Sequence, residues 1–398
     1  MIVYIHMIPQ SPSIIAGIDI GSNTIRVIIT EQTESDSHPR VIGIGKSVTS
    51  GVTKGYIINE DEVFMALTSA IRAAETMAGI KLDRVYVCMN SVSLKTDHIT
   101  NTISLEKKII SERDISYIIH QTRDNFHQQN KNRSLLHTIP LAYYLDREEL
   151  FAHPIGLTGK ELSIKYSLVS CLTQHQDGFI SVISKAGLDI IDIIASPIAA
   201  GVVALPKRVR SAGAALVDIG AETLSISIFE YDNLIHTAVV PCGANFITND
   251  LALGLQISLD DAELIKLGKN IEKTVTRRRV QDIIEARILD MADIIKKKLA
   301  SWNRDRLLPG GITLVGGGSH YEHMNTLIRN HLKLPTQTIQ IEKIIPSKRI
   351  LDNAWVAVYG ACLLGNQQPN YRSTGISLRK VFKDIKDSTK NFIEQFLP

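Results

Sequence analysis

The feature that most constrains this chain is a hairpin-like motif that occurs twice. Residues 16–31 read AGIDIGSNTIRVIITE, and residues 215–230 read ALVDIGAETLSISIFE. Aligned without gaps, they share Ala16/Ala215, Asp19/Asp218, Ile20/Ile219, Gly21/Gly220, Thr24/Thr223, Ile29/Ile228 and Glu31/Glu230. Each copy predicts strand, tight turn, strand, with β-branched residues on both sides. One copy alone is equally well a plain hairpin whose turn uses Asp and Gly for steric reasons. Two copies in one register, in opposite halves of the chain, predict two related lobes that each offer a turn to a shared cleft.

The turns suit phosphate. Gly21, Gly220 and Ala221 let backbone N–H groups approach an anion, and Ser22, Asn23, Thr24 and Thr223 add polar donors. Asp19 and Asp218 would repel a bare phosphate, but they suit Mg²⁺ held through its waters. A third stretch, GITLVGGGSHYEHM (311–324), predicts a strand, then Gly316, Gly317 and Gly318, then a helix. Ser319 and Glu322 form an S-x-x-E pattern that places the helix start just after Gly318. Such a helix start behind bare backbone suits phosphate or ribose. Tyr321 stands where a dinucleotide fingerprint requires its last glycine, which excludes that motif.

At 398 residues the chain exceeds one average domain, and 44% hydrophobic residues can fill a sizeable core. A net charge of +3 gives no reason to expect nucleic acid. The four cysteines form no CxxC pair, so they read as buried thiols of a reducing compartment. The opening MIVYIHMIPQSPSII lacks a basic start and is broken by Pro9 and Pro12, so no signal peptide is expected. No stretch reaches the roughly 18 apolar residues of a membrane span. The spacing of His120, His127 and His137 suits no common metal site. Helices are predicted from Asn59 to Gly79, after Ser111, from Ser196 with Pro197 in its first turn, over 258–268, and over 277–302.

Two phosphate loops followed by a glycine loop resemble the actin/Hsp70/sugar-kinase ATPase superfamily. Within it, the chain resembles the FtsA family of bacterial cell-division proteins. The likeness is carried by SGVTKGYIINEDEV (50–63), LHTIPLAYYLD (136–146), HPIGLTGKELSIKYSLVSC (153–171) and NAWVAVYGACLLG (353–365). It implies an α/β, two-lobed actin-like fold with an inserted small α+β subdomain and a C-terminal amphipathic helix. The first lobe would hold 1–83, 167–200 and 352–365, with the insert at 84–166. The second would hold 201–240 and 303–351, with an outer subdomain at 241–302. A linker (366–375) and a terminal helix (376–398) would follow.

The same resemblance implies ATP and Mg²⁺ as ligands, with Gly243, Glu263 and Lys266 joining the nucleotide site. It implies self-assembly into filaments, an insert that meets the next subunit and other division proteins, and an outer subdomain that binds the acidic tail of FtsZ. Arg277, Arg278, Arg279 and Arg287 are the candidates for that tail, one or two of them rather than all. Family members usually read Asp-Ile-Gly-Gly-Gly-Thr in the second loop, where this chain has Ala221 and Glu222. Glu222 belongs to the expected nucleotide site, either pointing outward or helping to hold Mg²⁺; a carboxylate beside a triphosphate adds repulsion, so the expectation is at most a slow ATPase, with no catalytic residue assigned.

In 376–398, Leu378, Val381, Phe382, Ile385, Phe392, Ile393 and Phe396 recur at helical spacing, and Arg379, Lys380 and Lys383 lie on the other face. That pattern fits an interfacial helix drawn to anionic lipid, although a basic amphipathic helix also suits packing on the protein body. With the resemblance, it places a peripheral protein on the cytoplasmic face of the inner membrane at the division site. The alternatives are a PilM-like pilus-assembly scaffold and a small-molecule kinase on the same fold. The segment HPIGLTGKEL and the amphipathic tail speak against the first, and the lack of an evident general base against the second.

Overall fold

The computed structural model describes residues 13–33, 38–106, 108–269, 275–345 and 352–366. The expected linker beyond Asn366 and the expected amphipathic helix, with its ten candidate membrane residues, lie outside the described residues.

The repeat seen in the sequence extends to the topology of both lobes. In the first, β1 (Ser13–Ile20) and β2 (Thr24–Gln32) form a hairpin, and β3 (Arg40–Val48) continues it. A small hairpin, β4 (Val52–Thr53) and β5 (Tyr56–Ile57), leads into α1 (Glu60–Ala78), β6 (Arg84–Met89) and the insert. The insert comprises β7 (Lys95–Ser104), α2 (Glu112–Gln129), β8 (Arg133–Leu145), β9 (Glu148–Leu150) and β10 (Glu161–Leu172). The chain returns through α3 (Thr173–Lys185), β11 (Asp189–Ala195) and α4 (Ser196–Ala204). After α5 (Lys207–Ala212), the second lobe repeats the pattern with β12 (Ala214–Ile219), β13 (Leu224–Glu230) and β14 (Asn233–Val240). Its outer helices are α6 (Ala244–Leu255), α7 (Leu259–Lys266) and α8 (Arg277–Ser301). Then follow β15 (Ile312–Val315), α9 (Met324–Leu332), β16 (Thr336–Thr338) and α10 (Val356–Asn366).

The first-lobe sheet runs β11-β6-β1-β2-β3, and the second begins β16-β15-β12-β13-β14. In each, an antiparallel meander of three strands is extended by two parallel strands on the far side of the first. The second sheet does not stop at β14. It continues through β7, β10, β8 and β9, so one nine-stranded sheet spans the second lobe and the insert. The seam is a single pair, Ala238 with Lys95. The Thr237 N–H donating to Thr96 Oγ1 and a 2.8 Å bond between His98 Nε2 and the Ile235 carbonyl support it. Arg84–Met89, read from the sequence as the start of the insert, instead pairs with β1 and β11 inside the first lobe. Both faces of β6 are apolar and buried, as a central parallel strand requires.

Local chemistry explains the helix ends. Asn59 Oδ1 accepts the Glu62 N–H at 3.2 Å, and Gly79, at φ 71°, closes the other end of α1. Glu62 does not reach back to Asn59; its carboxylate takes the Ser50 N–H at 2.9 Å and anchors the loop before β4. In the first-lobe core, α10 lies so close to α4 that a Cβ on Gly360 would stand 1.9 Å from the Ala199 carbonyl oxygen. Both helices carry cleft residues at their N-terminal ends, so this contact sets one wall of the site. All four cysteines are buried free thiols.

A nucleotide-type cleft between the lobes

The two repeated turns close in the same way. Gly21 donates its N–H to the Thr24 carbonyl at 3.2 Å, and Gly220 donates to Thr223 at 2.8 Å. Asp19 and Asp218 occupy the same position, one residue before the last of their strands. Their cross-strand partners differ: Asp19 faces Arg26, whereas Asp218 faces Ser225. Thus only the first copy places a cation beside its carboxylate.

A cavity of about 500 Å³ lies between the turns, a size typical of small-molecule sites. Asp19, Gly21, Ser22, Asn23, Thr24, Asp218, Gly220, Ala221, Thr223, Glu263, Lys266 and Gly316 to Gly318 line it. Gly316 has φ 86°, and a Cβ there would stand 2.1 Å from Asp218 Oδ1. Bare backbone at that point lets the third loop come against the carboxylate. Glu263 and Lys266 are joined at 2.6 Å, and Thr248 Oγ1 both donates to Glu263 at 2.6 Å and accepts from Lys266 at 2.8 Å. This network fixes two opposite charges on the cavity wall.

Two expected residues stand elsewhere. Glu222 does not line the cavity; its carboxylate accepts the Lys54 N–H from the other lobe at 2.7 Å. Gly243 does not line it either. It caps α6, where a Cβ would meet the Ala221 carbonyl oxygen at 2.4 Å, and its absence allows the second turn to seat on the helix. The amides of Ala244 and Asn245 donate to Gly220 and Ala221 at 2.9 and 2.8 Å, so this helix end holds the loop. The helix expected just after Gly318 begins later, at Met324. Ser319 Oγ donates back to the Gly316 carbonyl at 2.8 Å and accepts from Asn353 at 3.1 Å, which bends Gly317–His320 into a 3₁₀ turn.

Other lining residues were not singled out by the sequence. Arg26 lies 3.7 Å from Asp19 and over the Trp355 ring at 5.9 Å, with its Nε unbonded. Lys46 follows on the next strand, paired with Arg26, so a carboxylate, a guanidinium and an ammonium stand side by side on β1, β2 and β3. Ser196, read from the sequence as a helix cap, turns its hydroxyl inward without a bonded partner. The signal that could have found Arg26 was its place opposite Asp19 across a four-residue turn.

Loss of solvent is the largest influence on both aspartates. It raises the Asp19 carboxyl, with Arg26 pulling it back. It pushes Asp218 up to about 6, with the Asp19 charge adding to the rise and Arg26 opposing it. Two shielded carboxylates served by one guanidinium leave negative charge to be neutralised. A hydrated divalent cation bearing phosphates fits that need, and Arg26 and Lys46 suit the phosphates themselves. Among the described residues, no cluster of three or more His, Cys, Asp or Glu is set to hold a metal.

On the outer subdomain, Arg277, Arg278 and Arg279 are exposed at the start of α8. Arg279 donates to the Gly254 carbonyl at 2.6 Å. Arg287 is half-buried and makes a two-pronged pair with Asp250, at 2.5 and 2.8 Å, and a further pair with Asp290 at 3.3 Å. Its partner lies 37 residues back on α6, which no local pattern shows.

The family model described as cell division protein FtsA matches residues 215–360. The one described as the SHS2 domain inserted in FtsA matches residues 92–170, and the two together span more than half of the chain. This chain belongs to the FtsA family. The FtsA of Bacillus subtilis (strain 168) is 29% identical over 325 residues, 75% of this chain and 72% of that protein. The FtsA of Pseudomonas aeruginosa is 25% identical over 349 residues, 82% of this chain and 83% of that one. Among solved structures, a chain of the PilM-PilN type IV pilus biogenesis complex superposes with a TM-score of 0.67 at 15% identity, covering 89% of this chain and 99% of its own. MreB5 of Spiroplasma citri bound to ADP gives 0.52 at 12% identity, covering 96% and 99%. At such identities the structural likeness establishes an actin-like α/β fold alone. The FtsA relatives add the role: this is an actin-like cell division protein. Among its described residues no helix is long and apolar enough to cross a membrane.

Proposed function

We propose that this FtsA-family chain binds ATP with Mg²⁺ between its lobes and assembles with its own copies. It would attach by residues 376–398 to anionic lipid at the cytoplasmic face of the inner membrane, and tether FtsZ filaments there. The observation that supports the reading best is the pair of equivalent turns, with Asp19 and Asp218 converging on one cavity. Asp19 and Asp218 would hold the ion through its waters, and that ion would neutralise phosphate charge. Gly21, Gly220 and Ala221 offer backbone to the phosphates, Arg26 and Lys46 add positive charge, and the Glu263–Lys266 pair faces the nucleoside. MreB5, which shares the fold, carries ADP in its solved form. The group that would position an attacking water is unassigned, in keeping with slow turnover at most.

Sedimentation with anionic vesicles tests the tether. FtsZ is expected to pellet with the full chain and to stay in solution with a chain ending at Gly375. FtsZ left in solution while the full chain pellets would overturn the FtsZ assignment. Failure of the full chain to pellet would overturn the membrane assignment.

The arginines separate by position. Joint Arg277→Ala and Arg278→Ala replacement is expected to weaken binding of an FtsZ tail peptide, most visibly at low salt, without moving the melting temperature. Arg287→Ala is expected to lower stability by about 1–3 kcal/mol, because it strands Asp250. Unchanged peptide binding in the double variant would remove this surface from the proposal.

A further inference from the structure

The Glu222 carboxylate crosses the cleft to the N–H of Lys54, 168 residues away in sequence. Lys54 and Gly55 are the turn of the β4–β5 hairpin, with φ of 52° and 82°. This turn is pressed into the segment joining β6 to the insert. A Cβ on Gly55 would stand 2.3 Å from the Asn90 carbonyl oxygen and 2.5 Å from Ser91 Cα. The Lys54 carbonyl accepts the Val92 N–H at 3.4 Å. Behind it, the Tyr56 ring lies 3.7 Å from that of His175, whose Nδ1 is 2.7 Å from Ser93 Oγ. The Ser93 carbonyl in turn accepts Arg133 at 2.6 Å. A second tie crosses the cleft nearby, Asn90 Nδ2 donating to Ser225 Oγ at 2.8 Å.

Lys54 is therefore held on its N–H by the second lobe and on its C=O by the root of the insert. Its neighbour Gly55 lines the cavity. We infer that Glu222 is a positioning residue that couples the second phosphate loop to the root of the insert. Motion of that loop on nucleotide binding would pass through the β4–β5 turn to residues 90–95. The inference rests on the nucleotide reading proposed above. A glycine at 222 has no side chain to make this link. The carboxylate makes it with a charge-assisted bond, stronger than a neutral one. Turned this way, it also stays off the cavity wall, where it would repel phosphate.

Hydrogen–deuterium exchange on the full chain tests this, with and without a non-hydrolysable ATP analogue and Mg²⁺, in wild type, Glu222→Gly and Glu222→Gln. In the nucleotide-free protein, Glu222→Gly is expected to speed exchange at the Lys54 amide about tenfold, the loss of one charge-assisted bond. Glu222→Gln keeps a neutral acceptor and should fall between. With analogue, wild type should gain protection at residues 19–24, 218–223 and 90–95. Glu222→Gly should gain it at the two loops and lose it at 90–95. Equal protection at 90–95 in wild type and Glu222→Gly would overturn the coupling. An unchanged Lys54 amide would overturn the clasp itself. If wild type shows no response at either loop, the nucleotide reading falls and the coupling with it. The Lys54 comparison still reports whether the clasp exists.

Discussion

Asp218→Asn should make the nucleotide-free protein more stable above pH 6 and cost it about a hundredfold in affinity for Mg²⁺-nucleotide. The opposite signs share one cause. Loss of solvation raises Asp218 to about 6 in the folded protein, above the ordinary carboxylate value near 3.9. The folded state therefore binds this proton more tightly than the unfolded chain. The group's contribution is fully present below about pH 4 and is lost as pH rises through about 6. Asparagine keeps the shape and carries no charge, so it avoids that loss. It also removes half of the carboxylate pair that suits the ion. Thermal melts of wild type and variant between pH 4 and 8, without ligand, should diverge as pH rises. Taking the difference also cancels Asp192, which burial likewise raises, to about 7. A variant that melts lower than wild type at pH 8, or binds Mg²⁺-nucleotide as well as wild type, would contradict this account of the site.

Gly360→Val should be strongly damaging although the residue lies outside the cleft. A Cβ at 360 would stand 1.9 Å from Ala199 O and 2.5 Å from Ala199 C, and both are backbone atoms. No rotamer relieves such an overlap, so α10 must move away from α4. Overpacking of that kind costs about 3 kcal/mol or more. The loss extends to function, since Val356 and Ala357 of α10 and Ser196 and Ala200 of α4 line the cavity. Denaturant melts and nucleotide binding read both effects. A variant with wild-type stability would mean that the two helices slide apart at little cost.

The repeated hairpin made the architecture legible, because seven shared residues in one register specify two like strand pairs. Their common five-strand order then follows from the alternation of strands and crossover helices. Residues near the turns were legible for the same reason. Arg26 was not, since inside a β-branched run it looks like an exposed strand residue until the Asp19 partner is known. Nor was the use of Glu222, whose partner lies in the other lobe. The S-x-x-E pattern after Gly318 misled because Ser319 is claimed by Gly316 and Asn353, a tertiary demand that overrides a local cap. The Arg287 pair was not legible either, since Asp250 stands on another helix.

The strand seam between Ala238 and Lys95 bears on how this protein can be dissected. Because only one backbone pair joins them, β7 and β14 each already carry a largely unpaired flank, and cutting the insert away would uncover both flanks to other molecules. Such open flanks recruit strands from other molecules. Either fragment made alone is therefore expected to self-associate for a reason unrelated to filament formation. Fragments with charged residues placed along those two flanks are the fairer test of what each part contributes.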